Sequence, residues 1–408
     1  QAIVPSARPD QVVSVRRIPC SACVWLLAPQ MAAGFALPGF LERWRTDWID
    51  PALDYIEGPK PKSDSHLNDV SIEYPEDDVK VATQNFDPNC MLGSGTFGSV
   101  YRGVMGDGTE VAVKVLQVPE EAGFEDEVKV LSRFRHPNLV ILMGFARHAD
   151  SGGRSLIYEY LSGGDVSKRL QRSRQHSEPF EWKPRVSAAV DAACGLSHLH
   201  NMQPRAFHRD IKGPNILLDR NGTAKMADFG LSCVASGSQH KVRQASGTVG
   251  YACPEYIRTG IITEGSEVHS FGMVLLEILT GAPPAVQRPD KPNEYCYLVD
   301  HLQGSTAKVI QMLDPTGHFP PQISQALTDL SFRCIHHIPT ERPLFKQLVE
   351  ELRYLYQHAD DRHADAQKSS EAVDHSRHRT ESHQGQQLQQ VPKQLGQQQQ
   401  PQQQQPQQ

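Results

Sequence analysis

Phe207-His208-Arg209-Asp210-Ile211-Lys212-Gly213-Pro214-Asn215-Ile216-Leu217-Leu218 is the stretch whose reading decides the fold. It places a carboxylate and a carboxamide five residues apart in one polar loop, closed by a short apolar run of strand type. One loop can present both groups to one site. Asp210 is suited to accept or orient the proton of an attacking hydroxyl, and Asn215 to reach a metal ion. A helical pattern rich in Ala and Leu, Val186 to Leu199, precedes the loop. Asp228-Phe229-Gly230 follows it, and its carboxylate is the kind of oxygen ligand that hard cations prefer. Each triplet occurs by chance; their order and separation together hardly do.

Working toward the N-terminus, the next motif is Gly93-Ser94-Gly95-Thr96-Phe97-Gly98-Ser99-Val100. Glycines let a hairpin backbone come close to phosphates, with amides facing the anionic oxygens. The same spacing opens dinucleotide-binding domains, but there it lies between a strand and a helix. Here Ser99 to Val104 continues as a strand and Gly106-Asp107-Gly108 makes a turn. In the strand that follows, Glu110-Val111-Ala112-Val113-Lys114-Val115, alternation puts Val111, Val113 and Val115 on one face. Ala112 and Lys114 share the other. The small Ala112 leaves room for an adenine ring and the ammonium reaches phosphate oxygens; taken alone, Lys114 would be a solvated strand lysine. A helix is expected over Phe124 to Phe134, with Phe124, Val128 and Leu131 as its apolar stripe. Glu127 sits at the edge of that stripe. A carboxylate there needs a partner, and Lys114 is the natural one. Glu125 and Asp126 project to solvent.

With these motifs in order, and with Ala82-Thr83-Gln84-Asn85-Phe86, Arg135-His136-Pro137-Asn138-Leu139-Val140 and Leu156-Ile157-Tyr158-Glu159-Tyr160, the chain resembles the protein kinases. It looks most like the plant receptor-like and Pelle/interleukin-receptor-associated branch of the tyrosine-kinase-like group. The resemblance covers roughly Val81 to His358. It implies an α+β, two-lobed protein kinase fold: a small β-rich N-lobe, a larger helical C-lobe, and ATP in the cleft between them. It implies Mg2+ held by Asn215 and Asp228. The nucleotide site it implies begins with Leu92, Gly93, Ser94, Gly95, Thr96, Phe97 and Gly98. Val100, Ala112 and Leu217 sandwich the adenine, with Tyr158 as gatekeeper and Glu159 to Leu161 as hinge. Lys114, Glu127, Asp210, Lys212 and Asn215 are the implied catalytic set. Leu131, Leu142, His208 and Phe229 would stack as a spine.

Lys212 and Thr248, the latter in Gly247-Thr248-Val249-Gly250-Tyr251, resemble the serine/threonine enzymes, so serine or threonine acceptors in a protein substrate are expected. Arg209 resembles kinases switched by activation-loop phosphorylation, by an upstream kinase or by the chain itself. Ser236, Ser238, Ser246 and Thr248 are the candidate sites, Ser246 first. Glu255 and Arg342 should form a buried ion pair. Two positions depart from the family pattern. Cys253 replaces Ala or Asp, a tolerated change. Glu267 replaces an Asp that binds the catalytic-loop backbone; its extra methylene either lets it reach the same amides with a small shift or misplaces the loop, and reduced but real activity is expected. A catalytically dead scaffold is the competing reading, disfavoured because every catalytic residue is present.

The whole chain has 408 residues and a net charge of -6, without the basic excess of a nucleic-acid binder. Its cysteines are scattered, as in a reducing compartment, and Cys20-x-x-Cys23 lacks the further ligands of a zinc site. Residues 18–41 carry no charge, but Pro29, Gln30 and Pro38 interrupt them, so a cytoplasmic enzyme is expected over a membrane-anchored one. Residues 1–80 read as an extension with linker character at Pro59 to Asp64 and Pro75 to Asp78. Residues 81–358 read as the catalytic domain, and 359–408 as a polar, Gln-rich tail unable to offset its ordering entropy.

Overall fold

A computed structural model describes residue 67 and residues 71–95, 98–117, 123–149 and 152–358. The Cys20–Cys23 pair, the uncharged stretch 18–41, the linker at 59–64, Thr96, Phe97 and the Gln-rich tail lie outside the described residues.

The N-lobe is a sheet of six strands: β1 (Ile72–Glu73), β2 (Met91–Gly95), β3 (Gly98–Val104), β4 (Glu110–Leu116), β5 (Leu142–Arg147) and β6 (Arg154–Glu159). Their order is β1-β5-β6-β4-β3-β2, and every neighbouring pair is antiparallel except β1 with β5. Two helices flank it, α1 (Glu76–Ala82) and α2 (Phe124–Arg133). The alternation in β4 does what period two requires. Val111 and Val113 are fully buried with Val79, Ala146 and Ile157 on the outer face, and Ala112 and Lys114 face the cleft.

Pro75-Glu76-Asp77-Asp78, expected as linker, instead starts α1. Three acids in its first turn suit the positive end of the helix dipole. Glu76 then reaches across to the residues just after β5, within 3.1 Å of His148 Nδ1, and accepts the Ala149 amide at 2.9 Å. The folded N-lobe thus includes residues before Val81, and the expected boundary falls inside a helix.

The C-lobe begins with β7 (Gly164–Asp165), α3 (Val166–Arg174) and α4 (Trp182–Asn201). Short strands follow: β8 (Arg205–Phe207), β9 (Ile216–Leu218), β10 (Ala224–Met226), β11 (Cys233–Ala235) and β12 (Gln239–Lys241). After α5 (Pro254–Thr259) and β13 (Ile261–Thr263) comes α6 (Glu264–Thr280), the central apolar helix. A hairpin, β14 (Ala285–Arg288) and β15 (Lys291–Tyr297), leads to α7 (Leu298–Leu302), α8 (Thr306–Gln311), α9 (Pro321–Cys334) and α10 (Phe345–Gln357). Phe271, Val274, Leu275 and Ile278 of α6 are buried in one cluster that runs from α2 and β5 to α10. The catalytic loop runs directly into β9, the central strand of the three-stranded sheet β10-β9-β7. No helix among the described residues is long and apolar enough to cross a membrane.

Candidate functional site

Lys114 points from β4 into the cleft, where its Nζ lies 3.0 Å from Glu127 Oε2 and 2.7 Å from Asp228 Oδ1. Glu127 is fully buried on α2, and its other oxygen accepts the Phe229 amide at 3.0 Å. One carboxylate therefore ties strand, helix and the Asp228-Phe229-Gly230 turn together. Gly123 sets how closely α2 can approach. Its φ is +71°, and a Cβ there would stand 1.8 Å from the Gly230 carbonyl oxygen, so no larger residue fits. Burial disfavours the Lys114 ammonium, yet the two carboxylates hold its pKa above the ordinary lysine value. Burial likewise opposes the Asp228 charge, but Lys114 wins and holds that carboxyl below its usual range. Behind the cluster the Phe229 and His208 rings meet at 4.6 Å, and Phe229, Leu131 and Leu142 share one buried cluster.

The cleft has a volume of about 460 Å³. Of the residues expected around a nucleotide, Leu92, Gly93, Val100, Ala112, Lys114, Tyr158, Glu159, Leu161, Leu217, Asn215 and Asp228 line it. Ser94, Gly95 and Gly98 do not. Gly98, at φ +150°, serves packing: a Cβ would lie 1.9 Å from the Val115 carbonyl oxygen. A Cβ on Gly93 or Gly95 would meet nothing within 4 Å, so the β2–β3 hairpin leaves open space over the cleft. Tyr158 is buried, which pushes its phenol well above the ordinary value, and the nearby Glu127 carboxylate adds to the shift.

Asn215 and Asp228 offer oxygen donors suited to a hard cation. The Asn215 amide nitrogen is already spent on the Asp210 carbonyl at 2.8 Å and on Asp210 Oδ2 at 3.1 Å, which leaves the amide oxygen for a cation. No group of three or more His, Cys, Asp or Glu among the described residues could hold a metal by itself. A cation here must take its other ligands from phosphate and water, as Mg2+ does.

At the other end of the cleft, Asp210 Oδ1 accepts the Thr248 hydroxyl at 2.6 Å, and Oδ2 lies 2.6 Å from Lys212 Nζ. Lys212 also donates to Thr248 Oγ1 at 3.0 Å. Arg209 and Asp228 both have left-handed backbones, φ +69° and +63°. Such conformations cost about 1–3 kcal/mol each in a residue with a Cβ and persist only where neighbours impose them. For Arg209 the neighbour is Glu267, whose Oε1 accepts the Arg209 amide at 2.6 Å. Glu267 is buried, and its Oε2 lies 2.7 Å from Nε2 of His200, whose ring stacks on Phe345. The longer side chain reaches the amide it has to hold.

The Arg209 guanidinium is surrounded by neutral oxygens: Tyr256 Oη at 2.8 Å, the Leu231 and Gln244 carbonyls at 2.6 and 3.0 Å, and Ser246 Oγ at 3.4 Å. Glu255 and Arg342 pair at 3.1 Å, but the pair is buried on the arginine side only, since the Glu255 side chain is 33% exposed. The Cys253 thiol joins them, 2.8 Å from Glu255 Oε2 and 3.2 Å from Arg342 Nη1, and burial pushes its pKa up.

Two groupings escaped the sequence reading. The Glu159 carboxylate accepts the Ile141 amide at 2.8 Å and Lys225 Nζ at 2.7 Å, clamping the hinge to β10. Alternation in Ala224-Lys225-Met226 puts Lys225 opposite its two buried neighbours, but nothing local names its partner. Tyr251 Oη donates to Glu277 at 2.7 Å, and Ser167 donates to the same carboxyl. A Glu inside an apolar helix was the visible signal for that pair.

Compared with known protein families, residues 87–352 match the protein tyrosine and serine/threonine kinases. The chain is 38% identical over 301 residues to the probable serine/threonine-protein kinase PBL18 of Arabidopsis thaliana, covering 68% of this chain and 75% of that one. It is 36% identical over 298 residues to the probable serine/threonine-protein kinase CST of the same plant, covering 68% and 70%. To the receptor-like serine/threonine-protein kinase ALE2 it is 36% identical over 307 residues, 73% of this chain but only 40% of ALE2. Protein kinases in general use ATP and Mg2+, and the oxygen donors and open hairpin described above fit both. The chain belongs to the protein kinase family, on the branch of the plant receptor-like kinases.

Proposed function

We propose that the chain is a serine/threonine protein kinase that transfers the γ-phosphoryl group of ATP to protein hydroxyls in signal transduction. The observation that carries this reading is the convergence of Lys114, Glu127 and Asp228, far apart in sequence, within 3.0 Å contacts of one ammonium. Phosphoryl transfer asks little covalent work of the protein, and catalysis is positioning with charge stabilisation.

In this reading Val100, Ala112 and Leu217 flank the adenine, and Tyr158 to Leu161 form the gatekeeper and hinge. Lys114 holds phosphate oxygens, fixed by Glu127. Asn215 and Asp228 hold Mg2+, which when bound neutralises charge on the transferring group. Asp210 orients the acceptor hydroxyl and takes its proton; its carboxylate is held from both sides by Thr248 and Asn215. Lys212 stands next to Asp210 on the side of the transferred phosphate. The Lys212–Thr248 contact supports serine or threonine over tyrosine as acceptor. Cys90, Cys194, Cys233, Cys253, Cys296 and Cys334 are free thiols, which supports a reducing, cytosolic setting for the kinase domain.

The test is transfer from radiolabelled ATP to two generic proteins, one basic and one acidic, beside the Asp210→Ala variant, followed by identification of the labelled amino acid. Label on serine or threonine, absent with the variant, is expected. Label on tyrosine alone, or equal label with the variant, refutes the proposal.

A further inference from the structure

Beside the nucleotide cleft lies a second and larger cavity, about 790 Å³, which shares Asp165, Lys168 and Pro214 with it. Pro214 precedes Asn215 in the catalytic loop, and Tyr251 closes the segment that carries Thr248. The cavity therefore opens where a polypeptide bearing the acceptor hydroxyl has to pass.

Its walls differ in chemistry. Lys168, Gln171 and Arg174 lie on one face of α3, three residues apart, Gln175 follows at its C-terminal end, and all four are exposed. Every one ends in N–H donors. Arg174 gives one of its N–H groups to the Gly281 carbonyl at 3.0 Å and pairs with no carboxylate among the described residues. The acids facing these donors are already spent. Asp165 Oδ1 caps α3 through the Lys168 amide at 2.8 Å, and its Oδ2 lies 3.3 Å from Lys168 Nζ. Glu277 takes the hydroxyls of Ser167 and Tyr251, one on each oxygen. Burial also pushes the Glu277 carboxyl up to about 7, so it is only partly ionised at neutral pH. The cavity thus presents the Arg174 guanidinium without a carboxylate partner, and among the described residues lining it each carboxylate already has partners of its own.

We propose that this cavity is a specificity pocket of the kinase that seats an acidic side chain of the protein substrate, flanking the phosphorylated residue, with Arg174 as the cation that reads it. The inference rests on the serine/threonine-kinase reading and names its substrate class. A carboxylate docked there meets a guanidinium able to bind it with two parallel hydrogen bonds, a geometry a neutral or basic side chain cannot use.

The experiment uses the full chain and sets of three serine peptides that differ at one position, Glu, Gln or Lys, scanned through the residues on either side of the acceptor. With the wild type, kcat/KM for Glu should exceed that for Gln by about tenfold at one position, the worth of one good charged hydrogen-bonded pair. Arg174→Gln keeps a donor for the Gly281 carbonyl and should erase the ratio; Arg174→Glu should invert it in favour of Lys. Ratios within each variant cancel any general loss of fold or rate. Equal kcat/KM for the three peptides at every position, preference of the wild type for Lys, or an unchanged ratio in Arg174→Gln overturns the pocket while leaving the kinase intact. If no peptide is phosphorylated by any form, the kinase reading falls and the pocket falls with it.

Discussion

The two ends of the cleft are built by different means. At the nucleotide end, Lys114, Glu127 and Asp228 come from a strand, a helix and a turn, and opposite charges hold them together at 2.7–3.0 Å. Glu127 there is fully buried, so the contact is part of the packing as well as of the chemistry. At the acceptor end, Asp210, Lys212 and Asn215 share one short loop, held by the Thr248 hydroxyl and by Glu267 on the Arg209 amide. The difference teaches that damage should spread differently. Loss at the nucleotide end should unsettle the N-lobe, whereas loss at the acceptor end should cost rate and little fold.

The sharpest way to break that contrast is Asp210→Asn. It should lower kcat by about a thousandfold, within the range for a lost general base, with ATP binding and urea stability near wild type. Steady-state kinetics and a nucleotide titration decide it; a large stability loss would remove the distinction between the two ends. Lys114→Met should lower kcat/KM by about a hundredfold and also destabilise the chain by about 3 kcal/mol, because Glu127 is left buried without its cation. The double variant Lys114→Met with Glu127→Leu should recover much of the stability and none of the activity.

Glu277 tests the acceptor end by pH. Burial keeps its carboxyl protonated in the folded chain up to about pH 7, against an ordinary value of 4.5. Its contribution to stability is complete below pH 4.5 and is lost as pH rises through about 7, a change of about 3 kcal/mol. Denaturation midpoints measured from pH 4 to pH 8 should show that slope in the wild type and lack it in Glu277→Gln. Smallest is Glu267→Asp. The shorter side chain should fall short of the Arg209 amide and cost about tenfold in kcat, with KM for ATP unchanged. A faster Asp variant would mean that Glu267 does displace the loop.

The motifs themselves were legible because their chemistry is local. Asp210 to Asn215 is one loop, and Val111 and Val113 reveal their face by alternation alone. The catalytic loop, β4 and α2 could all be placed from spacing and apolar pattern. The start of α1 was not, because Pro75 followed by three acids reads as linker until Glu76 is seen to bind His148 and Ala149 just after β5. Nor was the one-sided exposure of the Glu255–Arg342 pair, which depends on where α5 sits at the surface.

By itself the sequence determined which functional groups exist and which lie within a few residues of one another, since backbone geometry over a short loop or a single strand leaves few choices. Only the tertiary structure decided which distant groups meet: Glu159 with Lys225, Glu277 with Ser167 and Tyr251, Glu267 with the Arg209 amide. The same folding left Arg174 facing the second cavity with no carboxylate paired to it among the described residues. Those pairings follow from packing two lobes around buried apolar clusters, a long-range condition that no short stretch of residues carries.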